Sequence, residues 1–150
     1  MSLLTILAEM KSINSGITGV IASYDVTDIP ASLKTGDLPA AVVLPSPTEL
    51  SLFSLISSRR QTFHQVILRI YVEPKAQGTV AQNLTATVPF IELVPDAYSQ
   101  AVALNSLAGV QKHDVGGYRI GVLPDFAGVD YVGIEFPFMV QEIRTVTTDR

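Results

Sequence analysis

The stretch VDYVGIEFPFMVQEI, residues 129–143, alternates for nearly its whole length, yet Pro137 stands in its middle. Period-two alternation marks a strand with one buried face. Proline, however, has no N–H to give to a sheet. Val132, Ile134, Phe136, Phe138 and Val140 send their side chains to one face, and Tyr131, Gly133, Glu135, Pro137 and Met139 to the other. Backbone groups alternate in the same way between left and right neighbours, so Pro137 weakens pairing on one side only. That side is either an edge of the sheet or the site of a bulge. An edge protected against aggregation is the expectation. Such an edge would also suit a neighbouring subunit that docks through side chains rather than through a continued ladder.

The stretch RRQTFHQVILRIYVEP, residues 59–74, contains the second clear strand, beginning near Thr62. Val66, Leu68, Ile70 and Val72 share one face; Gln65, Ile67, Arg69, Tyr71 and Glu73 share the other. Before it, LLTILAEMK near the N-terminus has helical spacing, and Asn14, Ser15 and Gly16 have the chemistry to end a helix. VIASYDV is a candidate short strand, and residues 27–39 form a loop rich in Pro, Gly and Asp. AAVVLPSP is a short buried strand stopped by prolines, whereas residues 48–60 fit a strand or a helical turn equally well. From residue 78 to 107 an apolar stripe through Val80, Leu84, Val88, Ile91, Val94, Tyr98 and Val102 predicts helix. Pro89 predicts a kink or a second helix beyond it. Alternation returns at Tyr118, Ile120 and Val122; DFAG, residues 125–128, makes a turn, and residues 145–150 are expected to fray.

This order predicts one α+β domain over residues 1–150, a single mixed, mostly antiparallel sheet with helices packed on one face. The other face would be left open, carrying Ile67, Tyr71, Tyr131 and Met139 among polar neighbours, a composition suited to subunit contact.

Composition narrows the role. Of 150 residues, 47% are apolar and 16% charged, against a usual charged share of about 25%. Mean hydropathy is +0.35. No run of about 18 apolar residues is present to span a membrane, so surface covered by copies of the chain or by partners is the expected use of the excess. The net charge of −4 is not that of a dedicated nucleic-acid binder. With no cysteine and two histidines, thiol chemistry is excluded and a metal site is not expected. The opening residues lack the charge and cleavage pattern of a signal peptide, so a cytoplasmic site of synthesis is expected. His113 and Asp114 are adjacent and so point to opposite faces of an extended segment; His64 shares the parity of Val66 and Leu68 and is expected to pack. The carboxylate pairs Asp25/Asp28 and Asp125/Asp130 are expected to be turn residues. GGYRIG has the wrong glycine spacing for a dinucleotide fingerprint. A structural or interaction role, not an enzyme, is the expectation, with no cofactor.

The opening helix, the DLPAAVVLP strand, the RRQTFHQVILRIYVEP strand, the long helix and the closing YRIGVLPDFAGVDYVGIEFPFMVQEI pair follow one another in an order that resembles the tail terminator proteins of long-tailed bacteriophages, also called tail completion or neck proteins. The resemblance covers nearly the whole chain and rests on patterning and element order. It implies a ring, typically of six subunits, seated on the last ring of the tail tube. Such a ring stops tube polymerisation and offers the docking surface for the head–tail connector or adaptor protein, and DNA passes through its channel. It implies a virion protein assembled in the host cytoplasm. Six copies at −4 carry about −24, a charge that lets DNA slide rather than stick. Position in loops makes Arg59, Arg60, Asp125 and Phe126 the candidate assembly contacts. A head-completion or adaptor protein of the neck is the alternative in the same class; a cellular dimeric α+β module that binds a small ligand is the alternative outside it.

Overall fold

The chain runs through α1 (Leu3–Ser15), β1 (Ala22–Tyr24), a 3₁₀ turn (Thr35–Asp37), β2 (Ala40–Pro45), β3 (Leu52–Ile56), β4 (Arg59–Pro74), α2 (Val80–Thr87), α3 (Phe90–Ser99), β5 (Val110–Val115), β6 (Arg119–Pro124) and β7 (Asp130–Thr145). The computed structural model describes residues 3–47, 51–56, 59–74, 80–99, 110–124 and 130–145. The expected turn at residues 125–128 and all of the expected frayed tail except Thr145 lie outside these residues. Thr145 itself is the last residue of β7, opposite Arg59.

The two stretches with the clearest alternation pair with each other. β4 and β7, 16 residues each, form one antiparallel ladder from Arg59 opposite Thr145 to Pro74 opposite Tyr131. Each is flanked on its outer side by a column broken into two short strands. β2 and β3 lie end to end along β4, and β5 and β6 lie end to end along β7. β1 adds to β2 in parallel; among the described residues this is the one parallel pair of an otherwise antiparallel seven-stranded sheet. Residues 52–56 are therefore strand, which their sequence left open.

β7 is an inner strand, so the edge expected at Pro137 is corrected. Gly116 N–H donates to the Pro137 carbonyl at 2.8 Å. Within an antiparallel strand a residue's N–H and C=O point to the same side, so the missing N–H of Pro137 faces the β5–β6 column. That column is interrupted at this point. Val115 lies opposite Phe138 and Arg119 opposite Glu135, which leaves Gly116 beside Pro137 and both Gly117 and Tyr118 across from Phe136. The extra residue is a bulge, turned by Gly117 at φ +121°. A Cβ on Gly116 would stand 3.3 Å from Pro137 Cγ, so glycine also lets the two backbones close. The sheet thus asks for no N–H where proline offers none.

One face of the sheet carries the main core. Val66, Leu68, Ile70 and Val72 of β4 and Ile134, Phe136, Phe138 and Val140 of β7 meet Ile6, Leu7 and Met10 of α1 and Phe90, Val94 and Tyr98 of α3. α1 ends at Ser15, where Ile17 N–H closes back on the Asn14 carbonyl at 3.1 Å. The helical region divides at Val88–Pro89, and Pro95 sits inside α3. The predicted stripe is out of phase in α2. Asn83 and Thr87 are buried, whereas Leu84 and Val88 are 42% and 52% exposed. Phe90 and Val94 set the buried phase of α3, and α2 docks with its small polar side inward; the Thr87 hydroxyl is satisfied by the Leu84 carbonyl at 2.6 Å.

The second face is not open along its length, which corrects that expectation. Tyr71 and Tyr131, ring centroids 5.6 Å apart and edge to face, form a smaller core with Leu33, Leu38, Ala40, Val42 and Leu123. The loop between β1 and β2 supplies its lid: Leu33 and Leu38 cover the tyrosines, and the Tyr131 hydroxyl donates to the Leu33 carbonyl at 3.2 Å. Asp25 starts this loop as a buried turn residue, its Oδ1 accepting Thr27 N–H at 2.8 Å, while Asp28 Oδ1 accepts Asp25 N–H at 2.8 Å. Lys11 of α1 pairs with Asp28. Burial works against the Asp28 carboxylate, but the Lys11 and Asp25 hydrogen bonds outweigh it and hold its pKa below the ordinary value. Met139 remains partly exposed beyond the reach of the lid.

Candidate assembly surface

The β4–β7 ladder continues past the last helix-covered residues as a three-stranded tongue. β3, residues 59–63 of β4 and residues 141–145 of β7 make it up, with the start of β5 still paired to Gln141 and Glu142 at its base. Arg59 and Arg60 are therefore not loop residues, as their sequence suggested; they open β4 and are hydrogen-bonded into a ladder on both sides. Register then decides their neighbours. Leu55, Arg60 and Arg144 stand directly across from one another on adjacent strands and share one face. Arg59 faces the other way, beside Ser54, Gln61 and Ile143 around a small hollow of about 180 Å³. Asp125 and Phe126 lie outside the described residues.

Several cations of the body are paired. Arg69 and Arg119 both reach Glu135 Oε2, at 3.3 and 3.2 Å, tying β4, β7 and β6 together across the sheet. His64 Nε2 lies 3.3 Å from Glu142 Oε1, and both are largely buried at the base of the tongue. Arg60 and Arg144 have no ion-pair partner among the described residues, and Arg60 Nε is buried without a hydrogen-bond acceptor. Two guanidinium groups held opposite each other repel, so this end of an acidic chain is locally basic. Leu55 beside them is 67% exposed, and Leu52 on the opposite face of the same strand is 58% exposed. Arg144 and Leu55 were not found from sequence, because only the strand register brings residues 55, 60 and 144 into one row; the Arg59–Arg60 doublet was the available signal.

His113 is a structural histidine. Its Nε2 lies 2.9 Å from the Tyr98 carbonyl in the last turn of α3, where unpaired carbonyls favour a donor. Tyr98 in turn donates its hydroxyl to Asn14 Oδ1 at 2.6 Å, joining α3 to α1 inside the core. Burial pushes the Tyr98 phenol well above its ordinary pKa, and the Asn14 hydrogen bond offsets only part of this. Elsewhere, a cleft of about 530 Å³ opens between the α1–β1 connection, the far end of β4 and the α2–α3 junction. Its walls are mainly apolar, from Leu38, Pro39, Val72, Pro89, Phe90 and Leu93, and Glu73 is the acidic residue among those that line it.

Comparison with protein-family models gives no match for this chain, and comparison with characterised proteins gives none either.

Proposed function

We propose that the protein is a structural subunit of a phage neck, forming a ring that caps the tail tube, ends its polymerisation and presents the docking surface for the head connector, with DNA passing through the channel. The observation that carries this is the tongue: a hydrogen-bonded sheet extension with exposed Leu52 and Leu55, and with Arg60 and Arg144 lacking an ion-pair partner among the described residues. Exposed Leu84, Val88, Tyr118 and Val122 add apolar surface elsewhere. A sheet extension of this kind gains its stability from contact with another subunit, since large exposed apolar groups mark association surfaces. Each subunit of a ring makes two different contacts that close on themselves.

The test is genetic and visual. Phage particles lacking the protein should build tail tubes of uncontrolled length that do not join heads, and the purified protein added back should restore joining. Tails of normal length joined to heads in its absence would overturn the proposal. The cleft beside Glu73 favours a second reading, a module that takes a small, mostly apolar ligand. A dimer in solution whose melting temperature rises with such a ligand, and which never associates with tail tubes, would select it.

A further inference from the structure

The arginine row of the tongue has a counterpart on the same chain. Val88, Glu92 and Asp96 follow one another at intervals of four residues, and all three are exposed. Glu92 and Asp96 lie one turn apart in α3 and share a row, and Val88, whose carbonyl accepts Ile91 N–H at 3.1 Å, lies in the turn immediately before α3, at the N-terminal end of that row. Neither Glu92 nor Asp96 has a cation beside it among the described residues, and like charges four apart on a helix repel. The chain therefore carries two rows of matching order, apolar–cation–cation on the tongue (exposed Leu55, half-buried Arg60, exposed Arg144) and apolar–anion–anion at the start of α3 (Val88 in the preceding turn, Glu92, Asp96). Their spacings agree. Neighbouring strands lie about 4.8 Å apart, and four residues of helix rise about 6 Å, a difference that long arginine side chains absorb.

We propose that these rows are the two halves of one contact between copies of this chain, the tongue of one subunit lying on α3 of the next, Leu55 on Val88 and the two arginines on Glu92 and Asp96. This rests on the reading that copies associate, and it adds which surfaces meet. Each row is self-repelling in the isolated subunit. The contact relieves both repulsions at once, and the buried Nε of Arg60 lies in the row it engages. The pattern is asymmetric, cation on one element and anion on another, so the same surfaces serve every copy in a closed assembly. Charge order also sets direction, because a reversed approach would bring arginine onto Val88 and a carboxylate onto Leu55.

Charge reversal tests it. R60E/R144E and E92K/D96K are made separately, and self-association is followed by sedimentation across a series of protein and salt concentrations. Wild-type protein should associate, and high salt should weaken it. Each variant alone should associate at least about tenfold more weakly. An equimolar mixture of the two should recover association, since each tongue then meets an α3 of opposite sign. Circular dichroism checks the fold, and R60Q/R144Q, which removes charge without placing a carboxylate near Glu142, should show a smaller loss in the same direction. Either variant alone associating like the wild type, a mixture that fails to recover, or a wild-type protein monomeric throughout overturns the contact. So does binding of duplex DNA by the arginine row with self-association unchanged. The ring itself is judged separately by tube length and head joining, so a failed contact with normal tail defects leaves that proposal standing.

Discussion

The same two strands behave differently at their two ends. Around residues 66–72 and 132–140, the β4–β7 ladder is covered by α1 and α3 on one face and, over part of its length, by the β1–β2 loop on the other, and its even-numbered apolar side chains are buried. Around residues 59–63 and 141–145, the ladder is paired without interruption, but arginines, Thr62 and Gln61 take the places of the core residues. Backbone pairing thus runs through both ends of the ladder, with its one register shift at Val72 in the body, and stability does not follow the pairing. Backbone pairing contributes modestly in net terms, whereas removing apolar area from water is the dominant favourable term. The body holds the fold, and the tongue is a surface mounted on it.

That contrast can be broken most sharply in the body. Phe136→Ala, beneath the helices, should cost about 3–5 kcal/mol in urea-unfolding experiments; a loss no larger than that of a surface substitution would show that the helix-covered half is not the stabilising one. Gly133→Ala comes next. A Cβ there would stand 2.3 Å from the Ile70 carbonyl oxygen and 2.8 Å from Leu123 Cδ1, where β4 carries one extra residue, Val72, between Tyr71 and Glu73. Because a backbone atom cannot rotate aside, a loss of about 1–3 kcal/mol or more is expected, with the tongue register preserved in amide exchange.

Tyr98→Phe sharpens the comparison by testing the polar seam inside the body. It removes the hydroxyl that satisfies Asn14 Oδ1 and should cost about 1–3 kcal/mol at neutral pH. Its pH dependence has a definite sign. The folded phenol is held protonated above its ordinary value, so in alkali the unfolded chain sheds a proton that the native state keeps. The wild type's stability should therefore fall as pH rises above about 10, and its advantage over Tyr98→Phe should shrink in the same window. The smallest effect belongs to the tongue: Arg144→Ala should change the stability of the monomer by no more than about 0.5 kcal/mol. A loss comparable with that of Phe136→Ala would make the tongue part of the core.

Much of the sheet was legible because alternation is local. The parity that separates Phe136 and Phe138 from Pro137 and Met139 is visible in the sequence and survives in the fold. The phase of α2 was not legible. Leu84 and Val88 continue the apolar stripe of residues 91, 94 and 98, yet the break at Pro89 turns α2 so that Asn83 and Thr87 face inward. A single stripe presupposes one continuous helix, and proline ended that condition. The open second face was misjudged for a related reason: the loop that covers Tyr71 and Tyr131 is polar by composition, and only Leu33 and Leu38 within it pack inward.

The candidate site divides in the same way. The Arg59–Arg60 doublet was visible, although its strand setting was not, and Arg144 joined it only through a pairing between residues 84 positions apart. Sequence alone determined that this is one mixed α+β sheet with two long alternating strands and that Pro137 frees one side of its strand. Tertiary structure decided that the freed side meets a bulge in an inner ladder and not an edge, which apolar rows are covered, and which charges stand together. The reason is physical: side-chain parity follows from neighbouring residues, whereas register, helix phase and coverage follow from which distant surfaces bury the most apolar area together.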